Sequence, residues 1–405
     1  MQTITSLLDT DFYKISMMQA VLHRYPGAWV KYAFKWRNWD KMLCNVDLES
    51  FVSNLNKCVD CLCELKFEKD ELEYLSEIQT FKRDFVEQLV FFRLNRDHIY
   101  ARAENGELKI TVEGPWYNTI LFEVPVLALV SELYTRLLLE NGGDKFATMA
   151  DEERESRLNE KIKLLRINAL FGPVNLTFAD FGTRRRASFG WHEKVVRVLD
   201  LKCPVDFIGT SNVLLAKKFG LKPIGTMAHE WIMAHQQLGG RPSDCQAAAL
   251  QAWAEEYRGE LGIALSDTLG FDAFLKDFDR YFASLYDGCR HDSGDPYEWC
   301  EKLIVHYESI RIDPRTKTAV FSDGLTFEKV LDLEEKFSDR INVSFGIGTD
   351  LTNDCGFTAP QIVMKMVECN GNPVAKISDS PGKGMCEDPC YEEFLKRTIE
   401  RKVGK

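Results

Sequence analysis

Short apolar runs alternate with polar turns and helical stretches along the chain from about residue 175 onwards. Each run ends in a turn rich in Gly, Ser, Thr or Asp, and a helical pattern follows it. Alternating strands and helices predict parallel strands joined by helical crossovers. Seven such units predict an α/β fold containing an irregular or incomplete parallel β/α barrel. The runs are residues 176–179, 205–208, 222–224, 263–265, 284–286, 318–321 and 342–345.

The first third of the chain has a different pattern, which predicts mixed α/β structure. Residues 46–92 are dense in Leu, Phe, Glu and Lys and contain neither Pro nor Gly, which favours helices. Residues 109–113 alternate in a way that predicts a strand. Residues 120–140 are apolar but include Pro125 and three acidic residues. This stretch is therefore predicted to be a core segment rather than a membrane span.

The charge balance excludes two classes of partner. The 405 residues include 51 Lys and Arg against 62 Asp and Glu, a net charge of −11. Such a chain binds nucleic acid or anionic lipid poorly unless a specific site is present, although it can hold a local basic pocket for a phosphorylated ligand. No apolar run reaches the ~18 residues that a membrane span needs. The first residues lack the pattern of a secretory signal, so we expect a cytoplasmic protein.

The twelve cysteines are too few for a disulfide scaffold in a chain of this length and predict thiols in a reducing compartment. Cys58, Cys61 and Cys63 are close enough in sequence to suggest a metal site. A closed zinc site needs four ligands, and the best second pair, Cys386 and Cys390, is far away in sequence. We interpret the cluster as helix thiols. A metal-binding interaction protein is the alternative from a different functional class.

The turns after the predicted strands carry the candidate chemistry, since the active site of a β/α barrel lies where its strands end. Gly346, Gly348 and Thr349 form a turn in which backbone amides can approach a phosphate. Residues 184–186 are three consecutive arginines, and guanidinium groups bind phosphates and carboxylates. A plain turn and a solvated charge run are the structural alternatives.

Carboxylates and a histidine follow the other strands. Arg290 and Asp292 lie in one turn, and Asp267 and Asp323 end two other strands. Carboxylates at such places can hold sugar hydroxyls or Mg²⁺, but a single Asp is also a common helix cap. His229 follows the third predicted strand and can serve as an acid, a base or a nucleophile, with a structural histidine as the alternative.

In this order, the turns make the chain similar to a known family. It resembles the nicotinate phosphoribosyltransferases of the bacterial type over nearly its whole length. Any one of the motifs is weak, but the ordered set is specific. The motifs are TDFYK (10–14), FKWR (34–37), FGTRRR (181–186), GTSN (209–212), GTMAHE (225–230), RHDSGD (290–295) and FGIGT (345–349).

The resemblance implies an activity and an architecture. Family members couple nicotinate to 5-phosphoribosyl 1-pyrophosphate, forming nicotinate mononucleotide and pyrophosphate, the entry of nicotinate into NAD synthesis. ATP is hydrolysed through a transient phosphohistidine, formally a ligase reaction, and His229 matches that position. Mg²⁺ on the pyrophosphate and a homodimer with shared sites are also implied. A barrel of residues 141–359 would pack on an N-terminal α/β domain of residues 1–140, which residues 360–405 would complete.

The resemblance also assigns roles around the substrate. Phe181 would stack on one face of the pyridine ring, and Tyr13, supplied by a second subunit, on the other. Arg290 would approach the ring and its carboxylate. Arg184 would hold the 5′-phosphate side together with Arg37, also supplied by a second subunit.

Other positions would serve the ribose and its phosphates. Asp292 and Asp323 would bind ribose hydroxyls or metal-bound water, and Asp292 joins His229 and Arg290 as a catalytic residue. The segment 376–383 would close over the phosphates. The turn residues Gly346, Gly348 and Thr349 would cradle the 5′-phosphate.

Ser211 bears on the choice between nicotinate and nicotinamide. Relatives that use nicotinamide have an Asp after Gly-Thr, and an Asp would repel the carboxylate of nicotinate, whereas Ser can donate a hydrogen bond to it. A nicotinamide or quinolinate phosphoribosyltransferase is the alternative on the same architecture. An unrelated barrel enzyme for a phosphosugar is a further alternative, but it leaves His229 and the FGTRRR motif unexplained.

Overall fold

Two β-sheets organise the chain. The computed structural model describes residues 3–41, 47–171, 176–380 and 382–404. Strands β4 to β9 form a parallel sheet, and the remaining strands form an antiparallel sheet. The strands are β1 (Trp29–Trp36), β2 (Ile99–Glu104), β3 (Glu107–Pro115), β4 (Phe178–Asp180), β5 (Phe207–Thr210), β6 (Ile263–Leu265), β7 (Gly288–His291), β8 (Thr318–Phe321), β9 (Asn342–Ile347), β10 (Ile362–Cys369) and β11 (Asn372–Pro373).

Helices connect the parallel strands and cover the sheets. The longest, α6, crosses the predicted limit between the domains and is interrupted at Gly143, where φ is 73°. The helices are α1 (Phe12–Arg24), α2 (Leu48–Cys63), α3 (Lys69–Glu77), α4 (Arg83–Leu89), α5 (Trp116–Thr119), α6 (Glu123–Phe171), α7 (Phe189–Lys202), α8 (Val213–Phe219), α9 (His229–Leu238), α10 (Cys245–Tyr257), α11 (Phe271–Asp277), α12 (Arg280–Leu285), α13 (Pro296–Ser309), α14 (Phe327–Phe337), α15 (Thr349–Thr352) and α16 (Pro389–Val403).

The parallel sheet is an incomplete barrel, as predicted. Its order is β5-β4-β9-β8-β7-β6, so its two edges are consecutive strands in the chain. The segment between them crosses the gap without forming a strand. Pro223 makes a single parallel bridge to Thr210, and the hydroxyl of Thr226 donates to the carbonyl oxygen of Ile263 at 2.8 Å. The strand predicted at 222–224 is reduced to that one bridge.

One predicted strand is wrong. Residues 284–286 lie at the end of α12, and the strand of this unit is β7. The carboxylate of Asp279 accepts hydrogen bonds of 2.9 and 3.1 Å from two amides in the first turn of α12 and starts the helix there. The strand then begins at a glycine, because a Cβ at Gly288 would lie 1.9 Å from the carbonyl oxygen of Thr318.

The other predicted strands are present. Residues 263–265 and 318–321 coincide with β6 and β8. Strands β4, β5 and β9 each run one or two residues further towards the carboxyl end than predicted. Gly346 is therefore part of β9 and not of the turn that follows it.

The C-terminal segment completes the N-terminal sheet, as predicted. The antiparallel order is β11-β10-β1-β3-β2, so β10 is inserted between β11 and β1. The predicted strand at 109–113 lies within β3, and the predicted helical region becomes α2 to α4, with Val46 outside the described residues. Because β10 comes after the whole barrel in sequence, it brings C-terminal side chains next to N-terminal ones.

Neither a membrane span nor a cysteine metal site is found in the described ranges. None of their helices is both long and apolar enough to cross a membrane. Cys61 and Cys63 are free thiols on α2, and Cys58 is buried there. The one group of candidate metal ligands that the described residues bring together contains no cysteine.

Glu334 on α14 makes the stability of the folded state depend on pH. It is 1% exposed, and Asn168 donates to its Oε2 at 3.2 Å. Burial raises the pKa of Glu334 to about 7. An unfolded Glu has a pKa of about 4.3, so the folded state holds a proton that the unfolded state loses, and stability falls as pH rises from about 4 to about 7.

We therefore expect Glu334→Gln to stabilise the protein above about pH 7, by on the order of 2 kcal/mol, and to change little at about pH 5. Gln keeps the shape of the side chain but cannot ionise. Thermal unfolding of both proteins at the two pH values measures the effect. Glu335→Gln, at an exposed position of the same helix, is the matched control. An equal effect of Glu334→Gln at both pH values would contradict the assignment.

Candidate active site

A cavity of about 540 Å³ lies at the carboxyl ends of the parallel strands. The turns meet there because parallel strands of one sheet end at the same edge. The N-terminal segment and strand β10 close its other sides. Every predicted site residue except Gly346 lines it: Tyr13, Arg37, Phe181, Arg184, Ser211, His229, Arg290, Asp292, Asp323, Gly348 and Thr349.

Phe181 follows β4, and its ring packs on β9. Its backbone amide donates to the carbonyl oxygen of Ile347 at 2.8 Å. A Cβ at Gly346 would lie 2.3 Å from two carbons of the Phe181 ring. Gly346 thus makes room for the aromatic ring, and the neighbours that line the cavity beyond it are Gly348 and Thr349.

The N-terminal segment reaches the cavity of its own chain. The backbone amide of Phe12 donates to the carbonyl oxygen of Ser211 at 2.7 Å, which holds the start of α1 against the end of β5. Tyr13 and Arg37 both line the cavity from there and from the end of β1. Within a single chain, both residues thus already lie at the cavity, whereas the resemblance implied that a second subunit supplies them.

The three consecutive arginines have different surroundings. Arg186 is completely buried, with two hydrogen bonds of 2.6 and 2.7 Å to Asp9 and one of 2.7 Å to Glu132. Arg184 lines the cavity. Its Nε lies 3.6 Å from Oδ2 of Asp11, and its Nη1 lies 3.8 Å from Oε1 of Glu123. Arg186 is therefore a structural residue, whereas Arg184 faces the ligand space.

Arg185 is the second arginine in the cavity. Its Nε donates to the carbonyl oxygen of Ile362 on β10 at 3.1 Å. Burial, with the nearby guanidinium groups of Arg184 and Arg37, lowers the pKa of Arg185 to about 10. None of the ion pairs among the described residues includes it. A half-buried guanidinium without a carboxylate partner favours binding of an anion.

Ser211 is engaged by a neighbouring carboxylate. Its hydroxyl donates to Oδ1 of Asp11 at 2.8 Å. Burial raises the pKa of Asp11, while Arg184 and this hydroxyl act in the opposite direction. The predicted hydrogen bond from Ser211 to a substrate would have to replace or share this contact.

His229 begins α9 and lies among charged groups. Its Nδ1 lies 3.0 Å from Oγ1 of Thr268, and its Nε2 lies 2.9 Å from Oδ2 of Asp292 and 2.8 Å from Nζ of Lys376. Burial and the Lys376 ammonium lower the pKa of His229 to about 4, although Asp267 and Asp292 act against them. The imidazole is therefore neutral at physiological pH, which a nucleophile requires.

The carboxylates at the strand ends are all close to cations. Burial opposes ionisation of Asp292, but the hydrogen bond with His229 and the charges of Lys376 and Arg290 hold its pKa well below the usual value. Asp323 forms an ion pair with Lys383. Nε of Arg290 is buried, with no hydrogen-bond partner among the described residues.

The expected contacts of Mg²⁺ with Asp292 and Asp323 do not fit these surroundings. His229, Asp267 and Asp292 come close enough together to suggest a cation site. Nζ of Lys376, however, lies 2.8 Å from both Nε2 of His229 and Oδ2 of Asp267, so an ammonium holds that place. Asp323 is paired with a lysine as well. We therefore assign no metal ligand among the residues that the structure describes.

Sequence reasoning missed one basic residue of the cavity. Lys365 lies on β10, and its Nζ donates to the carbonyl oxygen of Lys383 at 2.9 Å. Burial, with the charges of Lys376 and Arg37, lowers the pKa of Lys365 to about 7. The only signal in the sequence is a lysine within an apolar strand. Segment 376–383 does reach the cavity with both of its terminal lysines, while Pro381 lies outside the described residues.

A β/α barrel whose strand ends surround a neutral histidine and several buried or half-buried cations defines an enzyme that acts on phosphorylated substrates. The model of the nicotinate phosphoribosyltransferase (NAPRTase) family matches residues 176–402, and the model of its N-terminal domain matches residues 8–131. The chain belongs to the nicotinate phosphoribosyltransferase family.

Individual relatives support this over the full chain. The nicotinate phosphoribosyltransferase of Xylella fastidiosa is 50% identical over 399 residues, which cover 98% of each chain. That of Xanthomonas campestris is 51% identical over 396 residues, 97% of this chain and 95% of the relative. The crystal structure of nicotinate phosphoribosyltransferase from Vibrio cholerae has a TM-score of 0.91 at 39% identity and covers 98% of this chain and 94% of that chain.

Proposed function

We propose that this enzyme joins nicotinate to 5-phosphoribosyl 1-pyrophosphate and releases nicotinate mononucleotide and pyrophosphate, a step of NAD synthesis. We further propose that it hydrolyses ATP to ADP and phosphate through transient phosphorylation of His229. The observation that carries both proposals is the neutral histidine beside buried and half-buried cations in one cavity. A nucleophile for phosphate and a binding place for a polyanion are thereby brought together.

The aromatic side chains suit the flat pyridine ring. Phe181 and Tyr13 both line the cavity, and two aromatic faces would hold the ring so that its nitrogen points at the reacting carbon. Arg290 also lines the cavity and would approach the ring and its carboxylate. This side of the cavity would hold the acceptor.

The carboxylates suit the reacting ribose. Displacement of pyrophosphate builds positive charge on the sugar ring, and nearby carboxylates stabilise it. Asp292 and Asp323 line the cavity and would take this part. Their lysine partners would then be free to follow the leaving group.

The cations suit the phosphates. Arg37, Arg185 and Lys365 line the cavity and take part in none of the ion pairs of the described residues. Three such groups favour a ligand with several negative charges, as 5-phosphoribosyl 1-pyrophosphate has. Mg²⁺ would arrive on the pyrophosphate, since it binds readily through substrate phosphates and keeps most of its water.

Phosphorylation of His229 by ATP would act through the negative charge that it adds to the cavity. The γ-phosphoryl group would pass from ATP to a ring nitrogen of His229 as ADP leaves, and water would later release phosphate. The phosphorylated ring would carry about −1.5 to −2 additional charges, by analogy with other phosphorylated residues. That charge would reorganise Lys376, which contacts the ring, and so alter the affinity for the other substrates.

Ser211 supports nicotinate over nicotinamide through Asp11. An Asp at position 211 would place a second carboxylate against Asp11, and both would face the carboxylate of nicotinate. Ser211 instead neutralises part of the existing charge by donating a hydrogen bond. The acid therefore fits this side of the cavity better than it would with an Asp at position 211.

The experiment that tests the function measures product by mass spectrometry. The enzyme is incubated with 5-phosphoribosyl 1-pyrophosphate and Mg²⁺, with nicotinate or nicotinamide, each with and without ATP. We expect nicotinate mononucleotide, formed faster with ATP. Product from nicotinamide alone would contradict the argument from Ser211, and no product from either would contradict the proposed reaction.

Gly346→Ala is expected to raise the KM for nicotinate about tenfold. The added Cβ would lie 2.3 Å from the Phe181 ring and push it into the cavity, and overpacking of this kind costs about 1–3 kcal/mol. Gly190→Ala is the matched control, because nothing lies within 4 Å of a Cβ there. An unchanged KM for nicotinate in Gly346→Ala would show that the ring does not position the substrate.

A further inference from the structure

Two groups compete for one nitrogen of His229. Nζ of Lys376 lies 2.8 Å from Nε2, and Oδ2 of Asp292 lies 2.9 Å from the same atom. An ammonium can only donate a hydrogen bond, and a carboxylate can only accept one. A neutral imidazole has either a hydrogen or a lone pair on Nε2, so it satisfies one of these neighbours at a time.

The surroundings of Nδ1, the other ring nitrogen, are compatible with either tautomer. Nδ1 lies 3.0 Å from the hydroxyl of Thr268, which can donate or accept. If Lys376 donates to Nε2, the ring hydrogen lies on Nδ1 and is donated to Thr268. If the hydrogen lies on Nε2, it is donated to Asp292, and Thr268 donates to Nδ1. The position of Lys376 therefore selects the tautomer.

The same helix fixes both partners of the contact. His229 is the first residue of α9, and Gln236 lies two turns further along it. The amide of Gln236 donates to the carbonyl oxygen of Ala375 at 2.7 Å and accepts from its backbone amide at 2.9 Å. Lys376 is the next residue and is 2% exposed. Its alignment with the ring is thus built into the fold.

The ammonium group of Lys376 has carboxylate neighbours that it can keep when it leaves the imidazole. Its Nζ lies 2.8 Å from Oδ2 of Asp267, and Oδ2 of Asp292 is 3.9 Å away. The side chain lines the cavity, next to the cations that would receive the phosphates. A polyanion bound there would attract the ammonium away from the imidazole, whereas a neutral ligand would not.

We propose that Lys376 is a positioning residue that covers the lone pair on Nε2 of His229 in the free enzyme, and that a bound pyrophosphate group withdraws it. While Lys376 donates to Nε2, the ring hydrogen lies on Nδ1, so neither nitrogen has a free lone pair to attack phosphorus. Once Lys376 is withdrawn, the ring hydrogen moves to Nε2 and is donated to Asp292, which frees the lone pair of Nδ1. When Nδ1 then bonds to the γ-phosphorus of ATP, the bond from phosphorus to the bridging oxygen breaks and ADP leaves with that electron pair. The ring then carries a positive charge, which Asp292 balances through the hydrogen bond from Nε2. The phosphorylation step rests on the proposed function, but the hydrogen-bond arrangement of Lys376 and His229 does not.

The test is the tautomer of His229 in the full chain, measured by ¹⁵N NMR with labelled histidine. There are seven histidines, and the spectrum of His229→Gln identifies the signals of His229. In the free wild type we expect a protonated Nδ1 and an unprotonated Nε2. In Lys376→Met we expect the two nitrogens to exchange these states. A protonated Nε2 in the free wild type would overturn the proposal, and that result needs no variant to fold.

Two further variants separate the contact from general damage. Lys376→Arg keeps a cationic donor and should keep the wild-type tautomer. Lys365→Met removes another lysine of the cavity, half-buried and not in contact with His229, and it should also keep the wild-type tautomer. A tautomer change in Lys365→Met as large as that in Lys376→Met would overturn the specific role of Lys376.

The second half of the proposal uses inorganic pyrophosphate as the probe. Saturating pyrophosphate should give wild-type enzyme the spectrum of Lys376→Met. Pyrophosphate that binds, as measured by calorimetry, but leaves the His229 signals unchanged would overturn the withdrawal step. None of these measurements requires phosphorylation. The expected tautomers together with an unphosphorylated His229 would reject the proposed ATP coupling and leave the role of Lys376 standing.

Discussion

Replacing His229 with alanine is expected to abolish the stimulation of product formation by ATP. The variant lacks the nitrogen that would receive the phosphoryl group, while the residues proposed to bind nicotinate and the phosphates remain. A slower transfer that does not depend on ATP should therefore survive. The measurement is the ratio of initial rates with and without ATP, which should fall to about one. His306→Ala, at a half-buried histidine outside the cavity, should keep the wild-type ratio.

The pKa of His229 adds a pH dependence to this expectation. Burial and Lys376 lower that pKa to about 4, so the ring stays neutral as pH falls through the range in which an ordinary histidine, with a pKa of about 6.5, takes up a proton. The ATP stimulation should consequently be almost constant between about pH 8 and about pH 6. Stimulation that persists in His229→Ala, or that falls in wild type with a midpoint near pH 6.5, would refute the assignment of His229 as a neutral nucleophile.

Neighbouring arginines should give opposite results when each is replaced by alanine. Arg186→Ala leaves the carboxylates of Asp9 and Glu132 buried without their cation, which costs about 3–5 kcal/mol. We expect a large fall in the melting temperature. Arg185→Ala removes a cation that has no carboxylate partner, so its stability should change little. The KM for 5-phosphoribosyl 1-pyrophosphate should rise by about tenfold or more, as the loss of a charge-assisted hydrogen bond predicts.

The two variants control each other, because they make the same chemical change one residue apart. Thermal unfolding and steady-state kinetics on both proteins are sufficient. Arg186→Ala with wild-type stability would mean that the buried ion pairs contribute nothing. Arg185→Ala with an unchanged KM would remove Arg185 from the proposed phosphate site.

Much of the barrel could be predicted from local patterns. Strands β6 and β8 coincide with their predicted ranges, because each is a short buried run bounded by polar turns. The run at 284–286 looks similar but belongs to a helix, since Asp279 caps that helix and the true strand starts at Gly288. In the sequence alone, Gly288 is typical of a turn rather than of a strand. Only the distance to the neighbouring strand shows that no side chain fits there.

The site was predictable where one rule applies, namely that parallel strands end at a common edge. That rule places Phe181, Arg290 and Asp292 together without knowledge of any contact. It does not assign roles within a motif. Arg184, Arg185 and Arg186 are the same residue type in one run, and only their partners distinguish a ligand group from a buried ion pair.

The sequence by itself therefore determined the parallel barrel, the edge that carries the chemistry and the likeness to a family, because these depend on local periodicity and on the order of motifs. Tertiary structure alone decided that Tyr13 and Arg37 line the cavity of their own chain, that Gly346 lies against the Phe181 ring, and that Lys376 contacts His229. Lys376 and His229 are 147 residues apart in sequence. The contact exists because β10 inserts beside β1 and Gln236 of α9 holds the chain just before Lys376, and such packing leaves no periodic trace in the sequence.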